Sequence, residues 1–368
     1  MNSQMTLPKP SGKDKVGFFK GEFKTEEDRI CAYRCYYPTY EENKGVTYYD
    51  EDEILEYQLQ HPMFVQLEEP LSILNFLETN SQENAKVIKT NKKLPAILYS
   101  PGFTSLAWSN LIQVEELASH GYVVFCLSHP GDNFYTATSQ GITGLDNALV
   151  ASSQEEDQAF FKTMKTTNPK EISTEQVQAY LKNSKTLGKQ VERRVDDLEH
   201  LLDEIETLNS TENSLFYQRL QTEKIGIFGH SLGGASGFRL SQKDSRIKAC
   251  VNFDGWQYGE GFTEGTVGAP SLGLFCYDNH LAGNYPKRNQ ELSFFIIPDA
   301  VHYSFIDIYQ THTPLVQMLS PEAKVAKEEM KQVMNTSLLY MFNRYLKNEE
   351  QENLNDKLNR INSDIYES

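Results

Sequence analysis

The sequence predicts an α/β protein with a mostly parallel central sheet and helices on both faces. Three observations carry this expectation. Short, continuously apolar runs recur along the chain, stripes of helical period separate several of them, and Gly or Pro closes several of the elements. In chain order, residues 29–37 alternate as a strand and are expected to stop at Pro38, before an acidic loop over 41–53. Residues 94–100 form a buried strand ended by Pro101-Gly102. Ala107, Leu111, Val114 and Ala118 then repeat at helical spacing, Gly121 supplies the stop, and 122–127 is the next buried strand. Positions 191, 195, 198, 202 and 205 make one helical stripe. Further buried strands are expected at 224–228, 247–253, 271–276 and 292–297.

Two segments stand outside the alternation. Residues 136–184 are polar, with Phe160-Phe161 the first aromatic pair, and read as an insertion above the carboxyl edge of the sheet, where ligand sites lie. Residues 349–368 place Leu354, Leu358, Ile361 and Ile365 on one stripe, a C-terminal amphipathic helix or tail. No internal repeat or interdomain linker interrupts the chain, so residues 1–368 are expected to form a single domain.

With 35 basic and 51 acidic residues the chain carries a net charge of −16, which opposes nucleic acid and limits any contact with anionic membranes to a transient one. No apolar run reaches the roughly 18–20 residues of a membrane span. The first residues lack the apolar core of a signal peptide. Five cysteines, at 31, 35, 126, 250 and 276, are odd in number and three lie in apolar runs. They read as reduced, buried thiols, and the expected location is cytoplasmic.

The chemistry concentrates at Gly229, Ser231 and Gly233, which fit Gly-x-Ser-x-Gly between a buried strand and a run able to form a helix. A serine on such a sharp turn needs small residues two before and two after it, because larger side chains collide with the neighbouring backbone. Ser231 is therefore the candidate nucleophile, and it requires a histidine base oriented by a carboxylate. His129 and His302 both lie in loops just past buried strands. The chain order serine, acid, histidine favours His302. His61, His120, His200, His280 and His312 read as surface or supporting residues, and His230 as structural. Asp254 and Asp278 each follow a strand, and pattern alone does not separate them.

Ala118-Ser-His-Gly-Tyr-Val-Val124, Glu223-Lys-Ile-Gly-Ile-Phe-Gly-His-Ser-Leu-Gly-Gly-Ala235, Asn252-Phe-Asp-Gly-Trp256 and Val301-His-Tyr-Ser-Phe305 together resemble the platelet-activating-factor acetylhydrolase family. These are α/β-hydrolases that act as calcium-independent group VII phospholipases A2. The similarity runs from about Tyr33 past His302, including the insertion by placement more than by motif. The resemblance implies Ser231 as nucleophile, Asp254 as acid and His302 as base, the last two lying 23 and 71 residues after the serine. It also implies an oxyanion hole made by the backbone N–H groups of Phe103 and Leu232. Pro101 stands where the family more often has His, which bears on the loop and not on the main-chain donor. No cofactor or metal is expected, since there is no His-Glu-x-x-His and no calcium loop. The expected activity is hydrolysis of short or oxidised acyl groups from phospholipid-like esters through an acyl-serine. The alternatives are a general carboxylesterase of the dienelactone-hydrolase type and a non-catalytic binding protein on the same fold.

Overall fold

The computed structural model describes residues 5–42, 46–48, 77–164, 173–259, 268–279, 292–311 and 323–367. The expected loop over 41–53 falls largely outside them, as do His61, His280, His312 and part of the insertion. The apolar runs become strands of a central sheet. They are β6 (Leu94–Ser100), β7 (Val123–Leu127), β10 (Leu220–His230), β11 (Ile247–Phe253), β12 (Ser271–Cys276) and β13 (Leu292–Ile297), all parallel to their neighbours within this set. An antiparallel pair, β2 (Lys15–Lys24) and β3 (Ile30–Thr39), extends one side, with β5 (Ser81–Glu83) outside it. A two-residue strand, β14 (Tyr366–Glu367), pairs antiparallel with β13 at the other edge. Among the described residues the order is β14-β13-β12-β11-β10-β6-β7-β3-β2-β5. Small separate pairs are β1 (Met5–Thr6) with β4 (Leu77–Glu78), and the hairpin β8 (Tyr135–Thr138) with β9 (Gly141–Gly144).

The eight described helices are α1 (Leu111–Ser119), α2 (Asn147–Met164), α3 (Thr174–Asn183), α4 (Lys185–Ser210), α5 (Leu232–Lys243), α6 (Asp307–Thr311), α7 (Lys327–Leu346) and α8 (Leu354–Ile361). They divide between the two faces because the strands are apolar on both. In β6, Ile97 and Tyr99 face α1 and α7, while Ala96 and Leu98 face α4 and α5, and all are buried. The stripe on α4 sinks Leu198, Leu201, Leu202 and Ile205 completely. Each such side chain contributes about 1.5–3 kcal/mol relative to exposure.

Two local expectations change. β3 runs through Pro38, whose carbonyl faces away from β2 and accepts from the Ile88 N–H at 2.9 Å. The missing N–H falls on that same side, so no rung of the β2–β3 ladder is lost. The helix expected from Ala107 starts only at Leu111, after turns closed by Ser105, Ser109 and Leu111 N–H groups. Leu106, Trp108, Leu111 and Ile112 are all buried in the core and offer no apolar face to a membrane. The C-terminal stripe docks: Leu354, Leu358 and Ile365 are buried, and β14 covers the backbone edge of β13. All five cysteines are free and buried, and burial pushes the Cys31, Cys35, Cys126, Cys250 and Cys276 thiols up, away from the reactive thiolate. No described helix is long and apolar enough to cross a membrane.

Candidate active site

The strand order reverses around β6, with β7 on one side and β10 on the other, and the crevice beyond their carboxyl ends is where such sheets bind ligands. Ser231 stands there, at the turn from β10 into α5, with φ +54° and ψ −127°. That conformation is costly for a residue with a side chain. Tight packing around the turn enforces it. A Cβ on Gly229 would lie 2.4 Å from the Gly233 carbonyl carbon, and one on Gly233 would lie 2.0 Å from the Ser100 oxygen. The Ser231 N–H donates to the Phe253 carbonyl at 2.8 Å, which ties the turn to the end of β11.

One residue past β11, the chain folds into a second tight turn. The Asn252 side chain accepts from the Gly255 N–H at 2.8 Å and donates to its carbonyl at 2.9 Å. Asp254, enclosed by this bridge, takes φ +54° and is fully buried. Its Oδ1 accepts the Cys276 N–H at 2.9 Å, and its Oδ2 accepts from Asn279 Nδ2 at 2.6 Å. His302 opens a 3-10 turn (His302–Phe305) after β13. Its Nδ1 lies 2.7 Å from Asp254 Oδ2 and its Nε2 lies 3.1 Å from Ser231 Oγ. Asp278 is exposed, whereas its neighbour Asn279 lies within the cluster, 3.3 Å from His302 Nδ1.

His230, next to the serine, is buried, and its Nε2 donates to the His302 carbonyl at 3.1 Å. Burial, and then repulsion from His302 whenever that ring carries a proton, hold it well below the usual histidine range, so it serves as a neutral brace for the backbone of His302.

The expected oxyanion donors flank Ser231. Leu232 N–H opens α5, where no intrahelical acceptor exists. Phe103 follows Gly102, at which a Cβ would stand 3.4 Å from the Ser231 Cβ. Among the described residues neither N–H has a protein acceptor.

His129 lies elsewhere. Its Nε2 meets Ser100 Oγ at 3.0 Å and its Nδ1 meets Asp197 Oδ2 at 2.9 Å, all three side chains being buried beneath the loop that carries Phe103. Burial and the nearby Arg194 keep His129 below its ordinary value, and so neutral. Burial alone would raise Asp197, but His129 and Arg29 hold it below the usual carboxylate range.

The described part of the insertion consists of β8, β9, α2 and α3. Phe160 stacks on Tyr180 with ring centroids 4.2 Å apart, and Tyr180 meets Trp256 and Tyr258 edge-on, just past Asp254. The Gly259 N–H donates to the Leu181 carbonyl at 2.9 Å, fastening α3 to the same loop. Phe160 is therefore spent on anchoring the insertion beside the acid. Among the described residues no group of three or more His, Cys, Asp or Glu side chains could hold a metal ion.

Residues 1–365 match the family model described as "Platelet-activating factor acetylhydrolase, isoform II". The chain belongs to this family. Within the platelet-activating factor acetylhydrolase family, a protein of Cavia porcellus named "Platelet-activating factor acetylhydrolase" is 24% identical over 271 residues, covering 70% of this chain and 59% of that protein. A protein of Arthroderma benhamiae named "Probable 1-alkyl-2-acetylglycerophosphocholine esterase" is 26% identical over 183 residues, or 48% of this chain and 35% of that one. The chain thus matches 59% and 35% of the lengths of these two curated relatives, less than two thirds of either. A solved ferulic acid esterase from Streptomyces cinnamoneus superposes with a TM-score of 0.68 over 95% of both chains at 18% identity, which shows the shared α/β-hydrolase fold.

Sequence reasoning missed Asn279, beside His302, and the fully buried Arg194, whose guanidinium pairs with Asp132. Arg194 had a visible signal, a charge within the apolar stripe of α4. Asn279 had none, because an exposed-looking polar run after a strand does not reveal which residue turns inward.

Proposed function

We propose that this protein is a serine ester hydrolase acting on phospholipid-like esters with short or oxidised acyl groups. The observation that carries the reading is the hydrogen-bond chain from Ser231 Oγ through His302 to buried Asp254, set on a strained turn at the carboxyl edge of the sheet. His302 Nε2 takes the Ser231 proton as Oγ attacks the ester carbonyl, and a tetrahedral oxyanion forms between the Phe103 and Leu232 N–H groups. His302 then returns the proton to the leaving alcohol, which yields the acyl-serine. Water, deprotonated by the same imidazole, releases the acid. Asp254 holds the Nδ1–H and stabilises the imidazolium, while Cys276, Asn279 and Asn252 hold Asp254 and its turn.

The family supports the acetyl-ester chemistry, and the site supports a small acyl group. A long chain needs an apolar cleft, each buried methylene contributing about 0.8 kcal/mol. The insertion is polar, and Phe160 packs against Tyr180. Five free thiols fit a reducing, cytoplasmic setting, and a charge of −16 fits no more than transient membrane contact. The test is a series of acetyl, butyryl, octanoyl and palmitoyl esters, on phospholipid and p-nitrophenyl alcohols, assayed below and above aggregation. The reading expects acetyl and butyryl to turn over fastest with no jump on aggregation. Fastest turnover of palmitoyl esters, or activity only on aggregates, would refute it.

A further inference from the structure

The loop that delivers the Phe103 N–H is gripped from below by a guanidinium with no exposed surface. Arg194, on α4, donates from Nη1 to the Pro101 carbonyl and from Nη2 to the Gly102 carbonyl at 3.3 Å. Its Nε and Nη2 hold the two carboxylate oxygens of Asp132 at 2.8 and 2.9 Å. Asn133 Nδ2 adds a second donor to the Gly102 carbonyl at 3.5 Å, and the Asp132 carbonyl takes the Thr104 N–H at 2.8 Å. The loop is thereby fixed on both sides of Phe103, and Thr104 is held at φ +62°. A buried ion pair contributes little net stability, because its desolvation offsets most of its attraction.

The peptide unit itself supplies the account. The Gly102 carbonyl and the Phe103 N–H belong to one planar trans amide, so they point in opposite directions. Holding the carbonyl against Arg194 and Asn133 therefore fixes the N–H on the far side, and Gly102 packs directly against Ser231. We propose that Arg194, locked by Asp132, is a positioning residue that aims the Phe103 N–H at the oxyanion formed on Ser231. The guanidinium also polarises the amide it holds, which strengthens the N–H as a donor. The proposal rests on the acyl-serine reading above.

The test uses the full chain with Arg194→Lys, which keeps the charge facing Asp132 but lacks the planar fork that reaches both carbonyls. Active sites are counted from the end point of fluorophosphonate labelling at Ser231, so that misfolded protein does not enter kcat. A boronic acid, which becomes a tetrahedral anion on the serine, is compared with a neutral, non-hydrolysable ether analogue of the substrate. Losing an oxyanion donor outright costs about 10²–10³ in kcat, and misaiming one should cost about 10–10². The proposal expects that loss with KM nearly unchanged, an equal loss in boronate affinity and no change for the ether. Should Arg194→Lys not fold, the double variant Arg194→Met with Asp132→Asn removes both charges and carries the same expectation. Unchanged kcat per labelled site, or a fall in kcat without a fall in boronate affinity, would overturn the proposal, as would failure of both variants to fold. Absence of labelling at Ser231 in the unmodified enzyme would instead overturn the acyl-serine reading.

Discussion

Among the described residues, two hydrogen-bond chains run from a serine through a histidine to an aspartate. Ser231, His302 and Asp254 are linked at 3.1 and 2.7 Å; Ser100, His129 and Asp197 are linked at 3.0 and 2.9 Å. Distances do not separate them, but surroundings do. The His302 side chain is 35% exposed and that of His129 only 2%. Ser231 sits on a strained turn near the Phe103 and Leu232 N–H groups, which have no acceptor among the described residues, whereas Ser100 ends a regular strand and is fully buried. Asp254 is held by neutral donors, while Asp197 also faces the Arg29 guanidinium at 2.7 Å. The first chain is open to solvent. The second is enclosed by the core. A serine–histidine–aspartate geometry is thus insufficient evidence of catalysis without an approach and an oxyanion site.

The sharpest way to break this contrast is to remove each serine hydroxyl. Ser231→Ala should lower kcat by about 10⁴-fold or more with the fold intact. Ser100→Ala should retain kcat and lose about 1–3 kcal/mol of stability, because it leaves a buried His129 nitrogen without a partner. Steady-state kinetics and denaturant melts on both variants check this, and retained turnover in Ser231→Ala would remove the basis of the contrast.

Exchanging the carboxylates gives the next largest effect. Asp254→Asn should cost on the order of 10⁴ in kcat. Asp197→Asn should instead lower stability by on the order of 3 kcal/mol, since it strips a buried partner from His129 and Arg29, with kcat per labelled site nearly unchanged. Asp278→Asn, at an exposed position, should alter neither. The reverse ranking of Asp254 and Asp278 would move the acid to the later strand.

These comparisons also mark what could be read from the sequence. The buried strands were legible because parallel strands covered on both faces are buried at every position and so mostly apolar, as in β6, β7 and β12. The nucleophile turn was legible because steric crowding leaves Gly229 and Gly233 few substitutes. Asp254 and Asp278 were not separable by pattern, since both follow a strand. What distinguishes them is the Asn252–Gly255 bridge, a contact within one turn that turns Asp254 inward. Arg194 and Asp197 lie on the buried side of α4 beside Val195 and Leu198. A charge in an apolar stripe signals a buried ion but does not name its partner, and here the partners, Asp132 and His129, arrive from the loop after β7. Pro38 misled for a related reason: a missing N–H ends a strand only when a neighbour needs it.

The smallest expected effect concerns pH. The ordinary histidine value is near 6.5, and His129 is held below it. As pH falls below that value the unfolded chain binds a proton that the folded chain refuses, so this contribution to stability is present above about 6.5 and lost on acidification. His230 acts in the same direction. Buried Glu115, pushed up to about 7 from 4.5, acts oppositely and loses its contribution as pH rises through that window. The readout is therefore a difference. His129→Gln should show a smaller drop in melting temperature between about pH 7.5 and 5.5 than the unmodified protein, and an unchanged drop would mean that His129 is not kept neutral.

The central claim, that one of two similar chains is reactive, is tested most directly by mapping where a fluorophosphonate reacts. The protein is treated to complete loss of ester hydrolysis, digested, and every modified peptide identified by mass spectrometry. The account predicts a single adduct on Ser231 and an unmodified Ser100. An adduct on any other residue that tracks the loss of activity, or full hydrolysis after Ser231 has been modified, would contradict it.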